Sequence, residues 1–505
     1  MESKKQISAI SFGKSDGKNE ARQPNFESLF YDGSGDYEKL KNDPLKYLIV
    51  GRKGTGKTIL ARYFMKKMQE EKHTYAKFIV AGDFTGEKLK NFNYNVIREE
   101  EREIFWRYLI LNELTKMLVE HENGLLSRKW IGKLKDIDTN LMFNLEEMVQ
   151  ENVVNSNFGG SVSNHGFSVG GNSSLESKNS KKLKPATYFD QADKMMETLL
   201  KVMTRVKNKY FLFFDDLDEI KIGSLQRDSD ESNMTLLSDS LYDFVVALAY
   251  INDKLLDAGS KSRVISTMRQ DIVDQMQRKT KNFNKVLTDN GIKISWFSPM
   301  IKETPQNTAL GKLVLHKIKV SIDSYHDMNN KALFNTVFTQ AKPQKRPFSF
   351  IVNRGFGRPR DVIEYLNLIQ EKFPTAESIN FHMVTQVQSE YCSWFYDELQ
   401  NEISILGRSE DIFNTLELIK KNGQGIFKYK TLKINLEKGD KEVKVLGLKD
   451  DLKALFKLGA IGNYHKEKGS RTATVEYSYR EGTDNPDFSK EFIIHPAVQN
   501  FLSIK

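Results

Sequence analysis

Gly51-Arg52-Lys53-Gly54-Thr55-Gly56-Lys57-Thr58 follows the apolar run Leu45–Val50 and precedes Lys57–Met68, where apolar residues recur at helical spacing. Strand, glycine-rich turn, helix is the local reading. The segment satisfies G-x-x-x-x-G-K-[ST] in full, in the strand-to-helix setting that gives this motif its meaning. Glycines let the backbone turn its N–H groups inward around phosphate oxygens. The helix that begins at Lys57 adds the positive end of its dipole. Lys57 is placed to reach β- and γ-phosphates, and the Thr58 hydroxyl to bind Mg²⁺. Gly51, Gly54, Thr55, Gly56, Lys57 and Thr58 are therefore the expected phosphate-binding residues.

A metal held at such a loop needs a carboxylate from the end of another buried strand. Phe211-Leu212-Phe213-Phe214-Asp215-Asp216 fits, with four apolar residues running into two acids. Asp215 is expected to serve the Mg²⁺, and Asp216 or Asp218 to polarise an attacking water. The next apolar run, Arg263–Met268, ends in Thr267-Met268-Arg269, where Thr267 or Arg269 is positioned to sense a γ-phosphate. Gly355-Phe356-Gly357-Arg358-Pro359-Arg360-Asp361 opens a helix, with Pro359 near its first position. From there Arg358 or Arg360 reaches back toward the nucleotide. Plainer roles also suit these residues: acids in a helix first turn, arginines in surface ion pairs.

Further strands at Tyr75–Val80 and Ile292–Trp296, separated from the others by helical stretches, predict an α/β fold: a parallel sheet with helices on both faces. The expected organisation is an N-terminal arm over 1–40, mostly extended, then a P-loop core over 41–298. A helical domain over 299–406 and a winged helix over 407–505 follow. Residues 155–182 form a Gly/Ser/Asn-rich insertion too polar to build a core. In the last segment, helical pieces at Asp411–Lys421, Tyr429–Leu436 and Lys449–Leu458 precede strand-like runs at Ala460–Tyr464 and Ala473–Tyr479, the outline of a winged helix-turn-helix. Lys444, Lys449, Lys453 and Lys457, with Lys466, Lys468 and Arg471 at the wing tip, suit duplex DNA. Glu437, Asp440, Asp450, Asp451 and Glu467 interrupt them and suit protein docking equally.

Composition narrows the remaining classes. The 505 residues carry 76 Lys+Arg and 67 Asp+Glu, a net charge of +9. Both signs are interspersed, which describes a solvated mixed-charge surface. No apolar run approaches the roughly 18–20 residues of a membrane span. The N-terminus lacks the apolar core of a signal peptide, so a cytoplasmic protein with no membrane partner is expected. The single cysteine, Cys392, excludes an internal disulfide and a cysteine-based zinc site.

Together these segments resemble the AAA+/STAND superfamily of P-loop ATPases, and look most like prokaryotic forms with a helical lid and C-terminal winged helix, such as origin-recognition-like and defence-associated ATPases. GRKGTGKT matches Walker A and FLFFDDLDE matches Walker B; STMRQD resembles the sensor 1 strand and GFGRPRDVI the sensor 2 segment. The resemblance implies ATP and Mg²⁺ as ligands, with Lys57, Asp215, Asp216, Asp218 and Arg269 in the chemistry and Pro359, Arg358 and Arg360 near the nucleotide. It also implies that the helical domain over 299–406 is a lid and that the protein is a homo-oligomer serving as a switch in phage defence or stress signalling. AAA+ proteins usually place Glu at the second Walker B position; Asp216 followed by Asp218-Glu219 is more STAND-like and fits slow turnover. No segment looks like a nuclease, TIR, protease or transmembrane effector, so an output requires an effector protein in trans or DNA. Two readings follow: an oligomeric ATP-hydrolysing switch, or a nucleotide-gated scaffold with little hydrolysis that docks partner proteins. A metabolic kinase fits poorly, because it has no use for the lid and winged helix.

Overall fold

Five strands set the frame: β1 (Leu48–Gly51), β2 (Thr74–Val80), β3 (Lys209–Asp215), β4 (Arg263–Arg269) and β5 (Gly291–Lys293), with β1, β3 and β4 buried and β2 and β5 at the edges. They pair in the order β2-β3-β4-β1-β5, every pair parallel. The computed structural model describes residues 5–80, 99–122, 128–135, 186–217, 230–279, 283–297, 304–404, 406, 408–437, 447–466, 473–481, 483 and 485–504. The insertion at 155–182, Asp218, Lys444, Lys468 and Arg471 lie outside them.

The near-continuous apolar character of β1 and β3 reflects burial on both faces. Alternation along β3 sorts its rings. Phe211 and Phe213 meet Phe64 of helix Lys57–Gln69, at centroid distances of 5.7 and 5.9 Å. Phe214 points the other way, to Phe244 of helix Asp230–Asp257 at 5.5 Å, and Trp106 of helix Glu99–His121 closes that side. The expected α/β architecture, a parallel sheet covered on both faces, is present. Strand limits shift by a few residues where local turns intervene. β1 starts at Leu48 because Lys46 N–H closes a turn onto the Asp43 carbonyl. β5 ends at Lys293, although the Ile294 N–H still donates to the Val50 carbonyl at 2.8 Å.

Residues 304–404 are helical, from Ala309–Ser321 through Pro359–Lys372 to Gln388–Ser404. Beyond them, helices Ser409–Asn422, Tyr429–Glu437 and Leu448–Leu458 pack on a second, antiparallel sheet. Its strands are β6 (Ile426–Phe427), β7 (Ile461–His465), β8 (Thr474–Glu476) and β9 (Glu491–Ile494), in the order β6-β9-β7-β8. Two features depart from the sequence reading. The expected hairpin is widened to four strands by β6 and β9, and Ala473–Tyr479 breaks after Glu476 into the short helix Ser478–Glu481. The helical segment and the C-terminal segment share one apolar cluster, separate from that of the parallel sheet. Helix Gln388–Ser404 joins them, with Tyr396 stacked on Phe501 at 4.0 Å and Phe395 on His495 at 5.0 Å.

The N-terminal segment also departs from expectation. It carries short helices at Gly17–Ala21, Phe26–Leu29 and Asp36–Asn42 rather than running mostly extended. Ile7, Ile10 and Phe12 are fully buried in the cluster of the helical segment, and burying each such side chain contributes roughly 1.5–3 kcal/mol. Three apolar residues spaced through a polar stretch give no periodicity to read, which is why the sequence suggested a mostly extended arm.

Candidate functional site

Pairing register brings the site together. Gly51 at the end of β1 lies opposite Arg269 at the end of β4, and Phe214, one residue before Asp215, lies opposite Ser266. The carboxyl ends of β1, β4 and β3 thus form one rim, the edge at which open parallel sheets receive ligands.

On that rim the loop from Gly51 to Gly56 curls over the start of helix Lys57–Gln69. Gly54 and Gly56 sit in the left-handed region, at φ 78° and 94°, where any side chain would be strained. The Thr55 hydroxyl and the Lys57 ammonium both donate to the Arg52 carbonyl, at 2.8 and 3.2 Å. Trp296 Nε1 donates to the Thr55 carbonyl at 2.8 Å. Lys57 and Thr58 line a cavity of about 960 Å³, together with Arg269, Pro359, Arg360 and Asp216. Its apolar wall is built from Phe30, Tyr31, Leu313, Ile363 and Trp296. A charged end beside an apolar end, at this volume, suits a nucleoside triphosphate.

Asp215 is fully buried. The Thr267 hydroxyl donates to its Oδ1, while Oδ2 has no hydrogen-bond partner. Burial and the charge of Asp216 push the Asp215 carboxyl up to about 6, against the Thr267 and Thr58 hydroxyls and the Lys57 ammonium, which favour ionisation. A buried carboxylate with one unsatisfied oxygen is costly unless a cation neutralises it. The donor set therefore fits Mg²⁺, a hard cation that takes one or two carboxylates and completes its shell with water and phosphate oxygens. Among the described residues no group of three or more His, Cys, Asp or Glu could cage an ion without such help. Asp216 adopts φ 54°, left-handed backbone that Asp tolerates better than most residues. Its Oδ2 lies 3.3 Å from Lys18 Nζ.

The remaining expected residues have defined partners. Thr267 is spent on Asp215. Arg269 is bound to Asp271, with Nη2 at 2.6 Å from Oδ2, and stands on the cavity wall. Arg358 is buried behind the loop. Its guanidinium donates to both oxygens of Asp361, to Glu402 Oε1 at 2.6 Å and to the Lys53 carbonyl at 3.1 Å. Arg360 faces the cavity and pairs with Glu398 at 2.6 Å, while its backbone N–H approaches the Gly54 carbonyl at 3.4 Å. Arg358 thus supports the loop from behind and Arg360 stands at its edge.

Arg52, inside the motif but at one of its unspecified positions, is a residue beside the site that the sequence did not single out. Its guanidinium donates to the Leu458 carbonyl at 2.7 Å and lies over the Phe356 and Tyr479 rings. Lys457 adds an ion pair with Asp274 at 2.6 Å. The C-terminal helix Leu448–Leu458 is therefore fastened to the phosphate loop and to helix Gln270–Lys279. Of the other lysines of that helix, Lys453 makes an exposed pair with Asp450 at 2.8 Å and Lys449 lies over the Phe488 ring.

Residues 308–400 match the FunZ-associated C-terminal helical domain. That match spans the helices from Ala309–Ser321 into Gln388–Ser404, the same body that supplies Pro359, Arg358 and Arg360. No functionally curated protein matches the chain. Among solved structures, the Walker-type ATPase PABY2304 of Pyrococcus abyssi aligns over 98% of this chain and 100% of its own, at 12% identity and a TM-score of 0.39. The Aeropyrum pernix ORC1 protein, solved in complex with DNA, aligns over 96% of this chain and 95% of its own, at 11% identity and a TM-score of 0.37. Among the described residues no helix is long and apolar enough to cross a membrane.

Proposed function

We propose that the protein binds ATP with Mg²⁺ at the Gly51–Thr58 loop and hydrolyses it slowly, as a switch that rearranges the helical and C-terminal segments around the loop. The observation that carries this reading is the buried Asp215, with its unpartnered Oδ2, on the same rim as a complete phosphate loop. Loop N–H groups and Lys57 would bind the phosphates, and Thr58 and Asp215 would hold the metal. When bound, Mg²⁺ neutralises charge on the β- and γ-phosphates. Asp216 orients the attacking water and accepts its proton. Arg269 and Arg360, on the cavity wall, add positive charge near the transferred phosphoryl group. Assembly into a homo-oligomer, with output through a partner effector or DNA, completes the reading. The fastening of the C-terminal helix to the loop through Arg52 supports only the coupling of that segment to the nucleotide site.

Separate variants test the division of labour between the two acids. Asp216→Asn keeps a residue type that tolerates left-handed backbone. It is expected to retain ATP binding and lose turnover by about 100-fold or more, the range of a general base. Asp215→Asn is expected to raise the Mg²⁺ concentration needed for half-maximal ATP binding by about tenfold. Phosphate release and a Mg²⁺ titration read these out. Normal hydrolysis by Asp216→Asn moves the water-activating role to Asp218 or Glu219.

A further inference from the structure

The N-terminal segment enters the candidate site from the helical body. Ile7 N–H donates to the Ala376 carbonyl at 2.7 Å, and Gln370 Nε2 donates to the Ile7 and Ile10 carbonyls at 2.6 and 2.7 Å. Ser11 N–H donates to Ser321 Oγ, Asn367 Nδ2 to the Gly13 carbonyl and Arg360 Nε to the Ser15 carbonyl. Glu20 closes the series with a buried ion pair to Lys317 at 2.6 Å. All these anchors lie between residues 317 and 376, within the body that carries Arg358 and Arg360. Residues 5–15 are thus tied to that body, while helix Gly17–Ala21 packs on helix Lys57–Gln69 and Glu27 beyond it pairs with Lys66 and Lys67 of the same helix. A movement of that body relative to the sheet therefore pulls on the segment at Lys18.

Between these anchors, helix Gly17–Ala21 crosses to the other side of the cleft. Gly17 lies so close to the phosphate-loop helix that a Cβ there would meet Thr58 Cβ at 3.2 Å. That approach delivers Lys18 to Asp216, Nζ to Oδ2 at 3.3 Å, with the two side chains 35% and 32% exposed. A pair this exposed is weak. It holds a side chain in place yet releases it after a small displacement.

We propose that Lys18 is a positioning residue that restrains Asp216: while the N-terminal segment is seated, its ammonium occupies the carboxylate oxygen needed by the attacking water, and displacement of the helical body frees it. The proposal rests on the reading of Asp216 as the water-activating acid. Lys18 is thereby a brake supplied within one chain, and it links the position of the helical body to turnover.

The test uses the full chain with ATP and Mg²⁺, measuring phosphate release, ATP affinity and amide exchange of residues 17–22. Lys18→Met is expected to raise kcat by about fivefold, equivalent to ~1 kcal/mol, with ATP affinity within about twofold of the parent, as a half-exposed pair allows. Amide exchange at residues 17–22 should accelerate without nucleotide. Lys18→Arg, which keeps the charge, should restore the slow rate; a purely structural role for Lys18 would leave kcat unmoved. With ATP binding retained, an unchanged or lower kcat in Lys18→Met overturns the proposal, as does the absence of turnover in both proteins. Failure of the parent protein to bind ATP overturns the site assignment itself, and the brake with it.

Discussion

Lys57→Ala is expected to weaken ATP binding by about 100-fold, the loss of a charge-assisted contact to phosphate worth ~2.7 kcal/mol. The fold should survive the change. The Arg52 carbonyl, which accepts from Lys57, keeps the Thr55 hydroxyl as a donor, so no backbone acceptor is left bare. Equilibrium binding of ATP to both proteins, with unfolding midpoints as the control, checks the expectation. Equal affinities at equal stability would remove the loop from nucleotide binding altogether.

The largest effect on stability is expected from Arg358→Ala. Arg358 is almost completely buried, together with Asp361 and Glu402. Burial opposes ionisation of Glu402, and the guanidiniums of Arg358, Arg52 and Arg269 outweigh it and hold its carboxyl below the usual range. Without Arg358, two buried carboxylates lose their main counter-charge, a change that costs about 3–5 kcal/mol. For a body of this size the unfolding midpoint should fall by roughly 10 °C. ATP binding should weaken too, because the Lys53 carbonyl loses the donor that supports the loop. Arg358→Lys should rescue little, since one ammonium cannot replace a planar fork that bonds three partners. Combining Arg358→Met with Asp361→Asn and Glu402→Gln should recover most of the stability. Differential scanning calorimetry distinguishes the series.

The same residue shows why the sequence was legible only in part. The loop, Asp215 and the parallel sheet could be read because each is a local pattern: a fixed spacing of glycines, or apolar runs ending in acids. Arg358 was expected to reach toward the nucleotide; it lies buried behind the loop instead, and its side-chain partners were not readable. Asp361 is three positions away, whereas Glu402 and Lys53 are distant in sequence and the fold alone brings them together. Lys18 gave still less warning. A lysine in a polar, glycine-containing stretch looks solvated, and its partnership with Asp216 depends on a route across the helical body marked only by Ile7, Ile10 and Phe12. Arg52 was quoted within the motif but passed over, because the motif leaves its position unspecified.

The fastening of Arg52 to Leu458 has a thermodynamic corollary. Any molecule that binds the C-terminal segment and favours one separation between that carbonyl and the guanidinium also selects among arrangements of the phosphate loop. Reciprocity then fixes the exchange between the two ends: the factor by which such a molecule alters the dissociation constant for ATP equals the factor by which ATP alters its own. An unknown ligand of the C-terminal segment can accordingly be recognised, and its coupling measured, from ATP titrations alone.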